Sequence, residues 1–280
     1  MAISAVSFSI MDILVKIMSA SYPTGEIVFF RGLFGLIPIF FIIPRDRYKN
    51  LFQTKKLKMH LARAFIGTFG MLWIFLAVKY LPIAEAITIT FAAPVFATIF
   101  SMIILKEVIK LFRWVAIIIG LAGVVIILKP GTELFTVHSL FPLMFCLFFG
   151  IIAILIKKLS KTEPDYLIAT FFTLVIIFCG SISLFFEFKM PTARDFVPLV
   201  LIGIAGSAGN IFLTMSLRKG SISAVTPIKY LSLIIATFAG VLIFDEIPYF
   251  TTYLGAALIV ASSFIIFKRE EIKNKKTIIA

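Results

Sequence analysis

Ten stretches of this chain are each long and apolar enough to cross a lipid bilayer as a helix. A spanning helix needs about 20 consecutive apolar residues, and charge clusters and Pro/Gly turns divide the sequence into pieces of that size. The predicted spans are residues 2–20, 26–44, 60–79, 83–105, 112–128, 138–157, 165–186, 196–217, 221–243 and 250–267. With 61% hydrophobic residues, the chain is too apolar for a soluble surface. The sequence therefore predicts an all-α integral membrane protein.

The distribution of basic residues predicts the orientation. If the N-terminus is cytoplasmic, the inner connections and the tail carry 19 lysines and arginines, whereas the outer connections carry four. Positive residues are retained on the cytoplasmic side, so we expect both termini in the cytoplasm and the protein in a bacterial inner membrane. This bias accounts for the net charge of +13, and no basic motif points to nucleic acid.

An internal repeat is visible when the chain is shifted by 139 residues, which lays 81–129 over 220–268 without a gap. Glu107 then falls on Glu246, each at the end of a span, and charges are scarce enough in this chain for the match to count. We expect structural salt bridges or gating contacts at these two glutamates.

The repeat divides the chain into residues 1–130, residues 131–270 and a basic cytoplasmic tail, 271–280. Each half holds five predicted spans. Because five is odd, the halves must insert with opposite orientation, as in secondary transporters whose substrate site lies between inverted repeats. The fold prediction is thus ten transmembrane helices in two inverted five-helix repeats around a central cavity. The alternative is a duplicated membrane domain that only scaffolds or oligomerises.

Four charged residues interrupt the predicted spans: Asp12, Lys16, Arg31 and Lys229. Each would cost about 2.5–3.5 kcal/mol if it faced lipid near a helix centre, so we expect all four to face protein or water. Asp12 and Lys16 are four residues apart and can pair on one helix face. A structural ion pair between the first two spans is the alternative to a binding role for Asp12. One carboxylate cannot neutralise both Lys16 and Arg31, so a substrate carboxylate or phosphate would suit this interior.

Prolines interrupt two corresponding spans, at Pro94 and Pro227, and paired breaks of this kind point to a transporter's site. Two pairs of residues, related by the repeat, are predicted to face each other across the cavity: Thr90 and Phe91, and Lys229 and Tyr230. The two rings offer faces for stacking, although Phe91 could instead be one of the many lipid-facing phenylalanines.

Three further residues are candidates for substrate contact. Trp73 lies deep in its span, Glu85 either binds or caps a helix, and Asn210 bonds either a ligand or another helix. Arg63 and His60 lie near the inner end of the third span, where we expect them to reach lipid headgroups.

No constellation typical of an enzyme is present in the sequence. The two histidines, His60 and His138, fall at span ends or links, and no GxxxxGK[ST] loop binds a nucleotide. Cys146 and Cys179 lack metal-ligand spacing and are interpreted as small hydrophobes. We expect neither a metal nor another cofactor.

Several motifs resemble the drug/metabolite transporter superfamily, specifically its EamA family. They are the basic link after the second span (45–58), LPIAEAITITFAAPVF (81–96), LKE (105–107) and RWVAIIIGLAGVVIILKPG (113–131). The resemblance implies a proton-coupled or exchange carrier for small organic solutes. RGLFG (31–35), TPIKYLSLI (226–234) and IFDEIP (243–248) look most like S-adenosylmethionine uptake carriers, and DILVKIMSASYPTGEIVFF (12–30) is also similar to riboflavin uptake carriers.

The resemblance therefore predicts uptake of S-adenosylmethionine, or a similar aromatic-ring metabolite, by alternating access. Riboflavin uptake and export of an amino acid or related metabolite are the alternatives. Asp12 would suit a sulfonium, and Lys16, Arg31 and Lys229 would suit a carboxylate. The expected partners are the organic substrate, the bilayer and protons as a candidate coupling ion, for a monomer or a homodimer.

Overall fold

The computed structural model describes residues 1–50, 52–105, 111–129, 136–219 and 230–279. These residues form helices and short 3₁₀ turns, with no strand among them. The helices are α1 (Ala2–Ser19), α2 (Thr24–Ile42), α3 (Leu57–Tyr80), α4 (Ile83–Thr90), α5 (Ala93–Leu105), α6 (Leu111–Leu128), α7 (Phe141–Leu159), α8 (Asp165–Leu184), α9 (Ala193–Lys219), α10 (Tyr230–Phe244) and α11 (Phe250–Ile279). The 3₁₀ turns are Arg45–Asn50 and Val137–Leu140.

The helices have the lengths and composition of membrane spans. Among the described residues, seven segments are long and apolar enough to cross a bilayer: Ala2–Ser19, Thr24–Ile42, Leu57–Tyr80, Ile83–Ile104, Val137–Leu159, Asp165–Leu184 and Ala193–Arg218. Three shorter apolar helices are Trp114–Leu128, Leu231–Phe244 and Phe250–Ser262. The predicted all-α multi-pass membrane architecture is confirmed, while the total of ten spans stays a prediction.

The fourth predicted span is broken into α4 and α5. The turn between them is Phe91–Ala92, where Phe91 N–H donates to Thr88 O at 3.1 Å and Ala92 N–H donates to Ile89 O at 3.0 Å. These tighter bonds end α4, and Pro94 is the second residue of α5, where its missing N–H leaves no helical bond unmade. The break lies where proline was expected to interrupt the span, whereas the corresponding Pro227 lies outside the described residues.

The helices of the N-terminal half pack mainly on helices of the C-terminal half. α1 packs on α9 and α10, α2 on α8 and α9, and α3 on α7 and α8. At one such crossing Ser4 Oγ donates to Gly209 O at 2.8 Å. A cavity enclosed by these helices is therefore walled by both halves of the chain.

α6 and α11 form a separate close pair. A Cβ atom added at Gly123 would lie 2.7 Å from Gly255 O, and one added at Gly255 would lie 2.6 Å from Gly123 O. Only glycine at both positions lets the two backbones approach so closely, as small residues do in membrane helix pairs.

Polar contacts join the α1–α2 turn and the start of α2 to the α8–α9 connection and the start of α9. The Tyr22 hydroxyl donates to Asp195 Oδ2 at 2.7 Å, and Lys189 N–H donates to Glu26 Oε2 at 3.0 Å. The hydrogen bond to the Asp195 carboxylate raises the pKa of Tyr22 above its usual value. This end of the bundle is thus tied together across the two halves.

Candidate substrate cavity

A cavity lies at the centre of the helices, walled by α1, α2, α3, α4, α7, α8, α9 and α10. The volume that the centre of a water molecule can occupy inside it is about 140 Å³. This is roughly ten times the volume that one buried water requires. Its wall is mostly apolar, with phenylalanine rings from α7 and α8 and from the α4–α5 turn, and it has a few polar groups. Ligand sites commonly combine an apolar wall with a small number of placed polar groups.

Three charged side chains project into this cavity from three different helices. Asp12 lies on α1, Arg31 on α2 and Arg63 on α3, and they are only 7%, 3% and 2% exposed. Asp12 Oδ1, Arg31 Nε and the Nε and Nη1 atoms of Arg63 have no hydrogen-bond partner among the described residues. Buried charges are normally paired, so these atoms mark a candidate site for a polar ligand.

The two guanidinium groups share one aromatic ring. The central guanidinium carbon lies 4.0 Å from the Phe172 ring centroid for Arg63 and 5.4 Å for Arg31, within cation–π range. Arg63 Nη2 also donates to Asn210 Oδ1 at 2.7 Å. Asn210 and Phe172 therefore fix the orientation of Arg63 while two of its nitrogens remain unbonded.

One face of α1 carries Asp12 into the cavity. Met1, Ser4, Ala5, Phe8 and Met11 line the same wall, at the three- and four-residue spacing of one helix face. The cavity thus follows the N-terminal two-thirds of α1 and ends before Lys16.

Lys16 lies beyond the end of the cavity, where its contacts join three segments of the chain. Its Nζ lies 2.7 Å from Glu246 Oε1 and donates to Leu81 O at 2.7 Å, while Ile83 N–H donates to Glu246 Oε2 at 2.9 Å. These contacts join the end of α1, the α3–α4 link and the segment after α10. Lys16 reaches Glu246 and Leu81, so the expected pairing with Asp12 is wrong, whereas the expected salt bridge at Glu246 is present.

The backbone after α10 places Glu246 in this network. Asp245 has a left-handed conformation with φ of 53°, which ends the helix, and Glu246 N–H returns to Gly240 O at 2.9 Å. Asp is one of the few residues that tolerate this conformation. The Glu246 side chain is thereby directed toward α1 and α4.

Thr90, Phe91 and Asn210 also line the cavity, together with Asp12 and Arg31. The Thr90 hydroxyl donates to Ile87 O at 2.7 Å, within its own helix. The structure therefore brings together five of the ten residues predicted for the site.

The remaining predicted residues lie elsewhere or are not described. Trp73 packs against Phe141, with ring centroids 5.4 Å apart, and Glu85 is half-buried in the first turn of α4. Like Lys16, neither lines the described cavity. Lys229 lies outside the described residues. Tyr230 is the first residue of α10, but its side chain lies outside the described part.

Arg63 and His60 do not reach lipid headgroups, so that expectation is wrong. Arg63 is buried in the cavity wall, and His60 is buried against the Phe171 ring at 4.7 Å, with Nε2 3.7 Å from Glu163 Oε2. The sequence carried one signal for Arg63. Arg63, Gly67, Met71 and Ile74 share a helix face by spacing, and all four line the cavity.

The family model of EamA-like transporters matches residues 1–129 and 138–268. The chain belongs to the EamA-like transporter family. The predicted family is thus confirmed, and the chain is a membrane transporter and not an enzyme.

Curated relatives span nearly the whole EamA chain. The S-adenosylmethionine uptake transporter of Rickettsia bellii is 31% identical, over 98% of this chain and 94% of that protein. The pseudopaline exporter of Pseudomonas aeruginosa is 27% identical, over 93% of this chain and 92% of that protein. The riboflavin transporter of Vibrio cholerae is 26% identical, over 99% of this chain and 94% of that protein.

A solved crystal structure has the same fold. It matches with a TM-score of 0.60 at 17% identity, over 96% of this chain and 98% of that chain. At this identity the match concerns the fold alone. The shared helical fold thus extends over nearly the full length of both chains.

Proposed function

We propose that this protein takes up S-adenosylmethionine across a bacterial inner membrane by alternating access. The observation that carries the proposal is the central cavity, in which Asp12, Arg31 and Arg63 present unbonded polar atoms beside aromatic rings. A charged metabolite with a flat ring system uses both features. The S-adenosylmethionine uptake transporter of Rickettsia bellii, 31% identical over 98% of this chain, supports this choice of substrate.

The position of the cavity supports alternating access. The cavity follows α1 from Met1 to Asp12, and the Lys16–Glu246 contacts close the bundle beyond its other end. With a cytoplasmic N-terminus, as the basic residues predict, the cavity lies toward the cytoplasm and the closed end lies outside. In a cycle of this kind, the Lys16–Glu246 contacts separate when the substrate enters from outside.

Asp12 is the candidate carrier of a coupling proton. It is the one carboxylate among the described residues that line the cavity. Because its negative charge lies beside Arg31, protonation of Asp12 would change the charge of the substrate site directly. The protein works as a monomer or homodimer in this proposal.

Riboflavin uptake is the second candidate, supported by the riboflavin transporter of Vibrio cholerae. Riboflavin would stack on the same rings, but it is uncharged and lacks a carboxylate for two buried guanidinium groups. The pair of Arg31 and Arg63 therefore favours a substrate that carries an anionic group. The pseudopaline exporter among the relatives keeps export as an alternative direction.

The test is uptake of radiolabelled S-adenosylmethionine by proteoliposomes, with protein-free liposomes as the blank. We expect saturable uptake that unlabelled S-adenosylmethionine inhibits and riboflavin does not, with a rate that depends on an imposed pH gradient if protons are coupled. Arg31→Gln should abolish uptake, whereas Arg194→Gln, at an exposed position, should leave it unchanged. Uptake of riboflavin alone, or of neither compound, would overturn the proposed substrate.

A further inference from the structure

We infer that Asp12, Arg31 and Arg63 bind the α-amino acid end of the substrate, with its carboxylate at the two arginines and its ammonium at Asp12. The inference rests on the proposed function, because it assigns the chemistry of the same cavity. It goes further by defining the substrate class as metabolites that carry a free amino group next to a carboxylate.

The charge balance of the cavity requires an anionic group. The charged residues on its described wall are one carboxylate and two guanidinium groups, and arginine stays protonated in proteins. Arg31 interacts electrostatically with Asp12, and Arg63 interacts electrostatically with Arg31. Asp12 compensates Arg31, and Arg63 is left with a positive charge that the described wall does not balance.

The unbonded atoms require more than an anion. Arg31 Nε and the Nε and Nη1 atoms of Arg63 are donors, whereas Asp12 Oδ1 is an acceptor. A simple carboxylate would satisfy the donors and leave Asp12 Oδ1 without a hydrogen. An α-amino acid satisfies both, because its ammonium donor and its carboxylate are attached to the same carbon atom. Its polar atoms therefore match all four unbonded protein atoms in type.

The apolar part of the cavity accommodates the rest of such a substrate. Phe91, Phe145 and Phe149 line the wall contributed by α7 and the α4–α5 turn, and rings of this kind bind a base or another flat group by stacking. Asn210 holds Arg63 at Nη2, so the orientation of that guanidinium does not depend on the ligand. Asn210 is thus a positioning residue for the carboxylate end.

The experiment compares ligands that differ only at the amino acid end. Purified full-length protein in detergent is tested for binding of tritiated S-adenosylmethionine, with decarboxylated S-adenosylmethionine and the analogue that lacks the α-amino group as competitors. We expect each analogue to bind at least about tenfold more weakly than the parent, since hydrogen bonds to charged groups are the strong ones. If both analogues compete as strongly as unlabelled S-adenosylmethionine, the inference is overturned and the proposed function stays intact.

Two variants test which part of the site binds the carboxylate of the substrate and which part binds its ammonium group. Asn210→Asp places a carboxylate beside Arg63, so we expect weaker binding of the parent and unchanged binding of the decarboxylated analogue. Asp12→Asn should weaken binding of the parent and leave the analogue without the α-amino group unaffected. Retained binding of one analogue also shows that each variant is folded, and a variant that weakens all three ligands equally contradicts its assigned role. Arg194→Gln is the matched control.

A second measurement separates this inference from the identity of the substrate. If S-adenosylmethionine neither binds nor is transported, the proposed function fails, and thermal unfolding is then followed with L-methionine against 3-(methylthio)propylamine and L-tryptophan against tryptamine. Stabilisation by an amino acid but not by its amine supports the amino acid site. Equal effects within both pairs, or none, overturn it.

Discussion

Lys16 Nζ on α1 lies 2.7 Å from Glu246 Oε1, which joins the first helix of the chain to the segment that follows α10. The same glutamate accepts from Ile83 N–H, and the same lysine donates to Leu81 O. The two side chains therefore connect three parts of the bundle. Movement of either side chain away from this position breaks the ion pair between them.

The first prediction concerns this closed end. Lys16→Met removes the ion pair and the bond to Leu81, whereas Glu246→Gln weakens the pair but keeps an acceptor for Ile83. We expect each variant to lower the rate of substrate uptake about two- to tenfold. The double variant should take up substrate as fast as Lys16→Met alone, because the effects of contacting residues are coupled. Uptake rates in proteoliposomes measure this, with Lys189→Met as a control cation outside the network. Strictly multiplicative effects would show that the two residues act separately.

The second prediction uses Gly206, which makes room for Arg31. A Cβ atom at Gly206 would lie 2.9 Å from Arg31 Nε and 2.9 Å from Met11 Sδ. Both atoms belong to long, flexible side chains, so Gly206→Ala should fold but displace the guanidinium and raise KM for uptake several-fold. Gly240→Ala is the control, because its added atom would meet Ile83 Cγ2 at 3.4 Å, Glu246 O at 3.5 Å and Glu246 Cβ at 4.0 Å, all at ordinary contact distance. An unchanged KM for Gly206→Ala would contradict a binding role for Arg31.

The third prediction concerns the α6–α11 pair. Gly123→Ala or Gly255→Ala would place a methyl group against the opposite backbone, which cannot move as a side chain can. We expect a loss of about 1–3 kcal/mol, typical of overpacking, seen as a lower unfolding temperature in detergent. No described residue of α6 or α11 lines the cavity, so the KM of the protein that remains folded should be unchanged. A raised unfolding temperature for either variant would contradict the close backbone contact.

The fourth prediction concerns orientation. If the inner connections are cytoplasmic, a fluorescent protein fused after residue 280 should fluoresce, and alkaline phosphatase fused at the same point should be inactive. A cysteine introduced at Arg194, in the first turn of α9, should react with a membrane-impermeant maleimide from outside intact cells. The opposite pattern in both assays would invert the proposed direction of the cavity.

The sequence predicted those charged residues of the site for which the cost of exposure to lipid is decisive. Asp12 and Arg31 lie so deep in apolar segments that lipid exposure is too costly, and both line the cavity. Arg63 lies near the start of its predicted span, where a long side chain can either reach headgroups or turn inward. Packing against Phe172 and the bond to Asn210 decide between these, and both partners are more than 100 residues away in sequence.

Lys16 shows the limit of spacing rules. Four residues separate it from Asp12, which permits a pair on one helix face, yet spacing within a helix cannot reveal a stronger partner elsewhere. Glu246 becomes that partner because Asp245 turns the chain after α10. Pro94, in contrast, acts on the backbone next to it, so the break near it was predictable from local sequence.

The interruption at Phe91–Ala92 has a mechanical consequence. Through Ile83, α4 is attached to the closed end of the bundle, while α5 packs on α7. An unbroken helix would have to rupture its own hydrogen bonds before one end could tilt relative to the other. Those bonds are already absent at this break, so a tilt of α4 relative to α5 would require no further loss of helical hydrogen bonds, and Phe91 at the break lines the cavity.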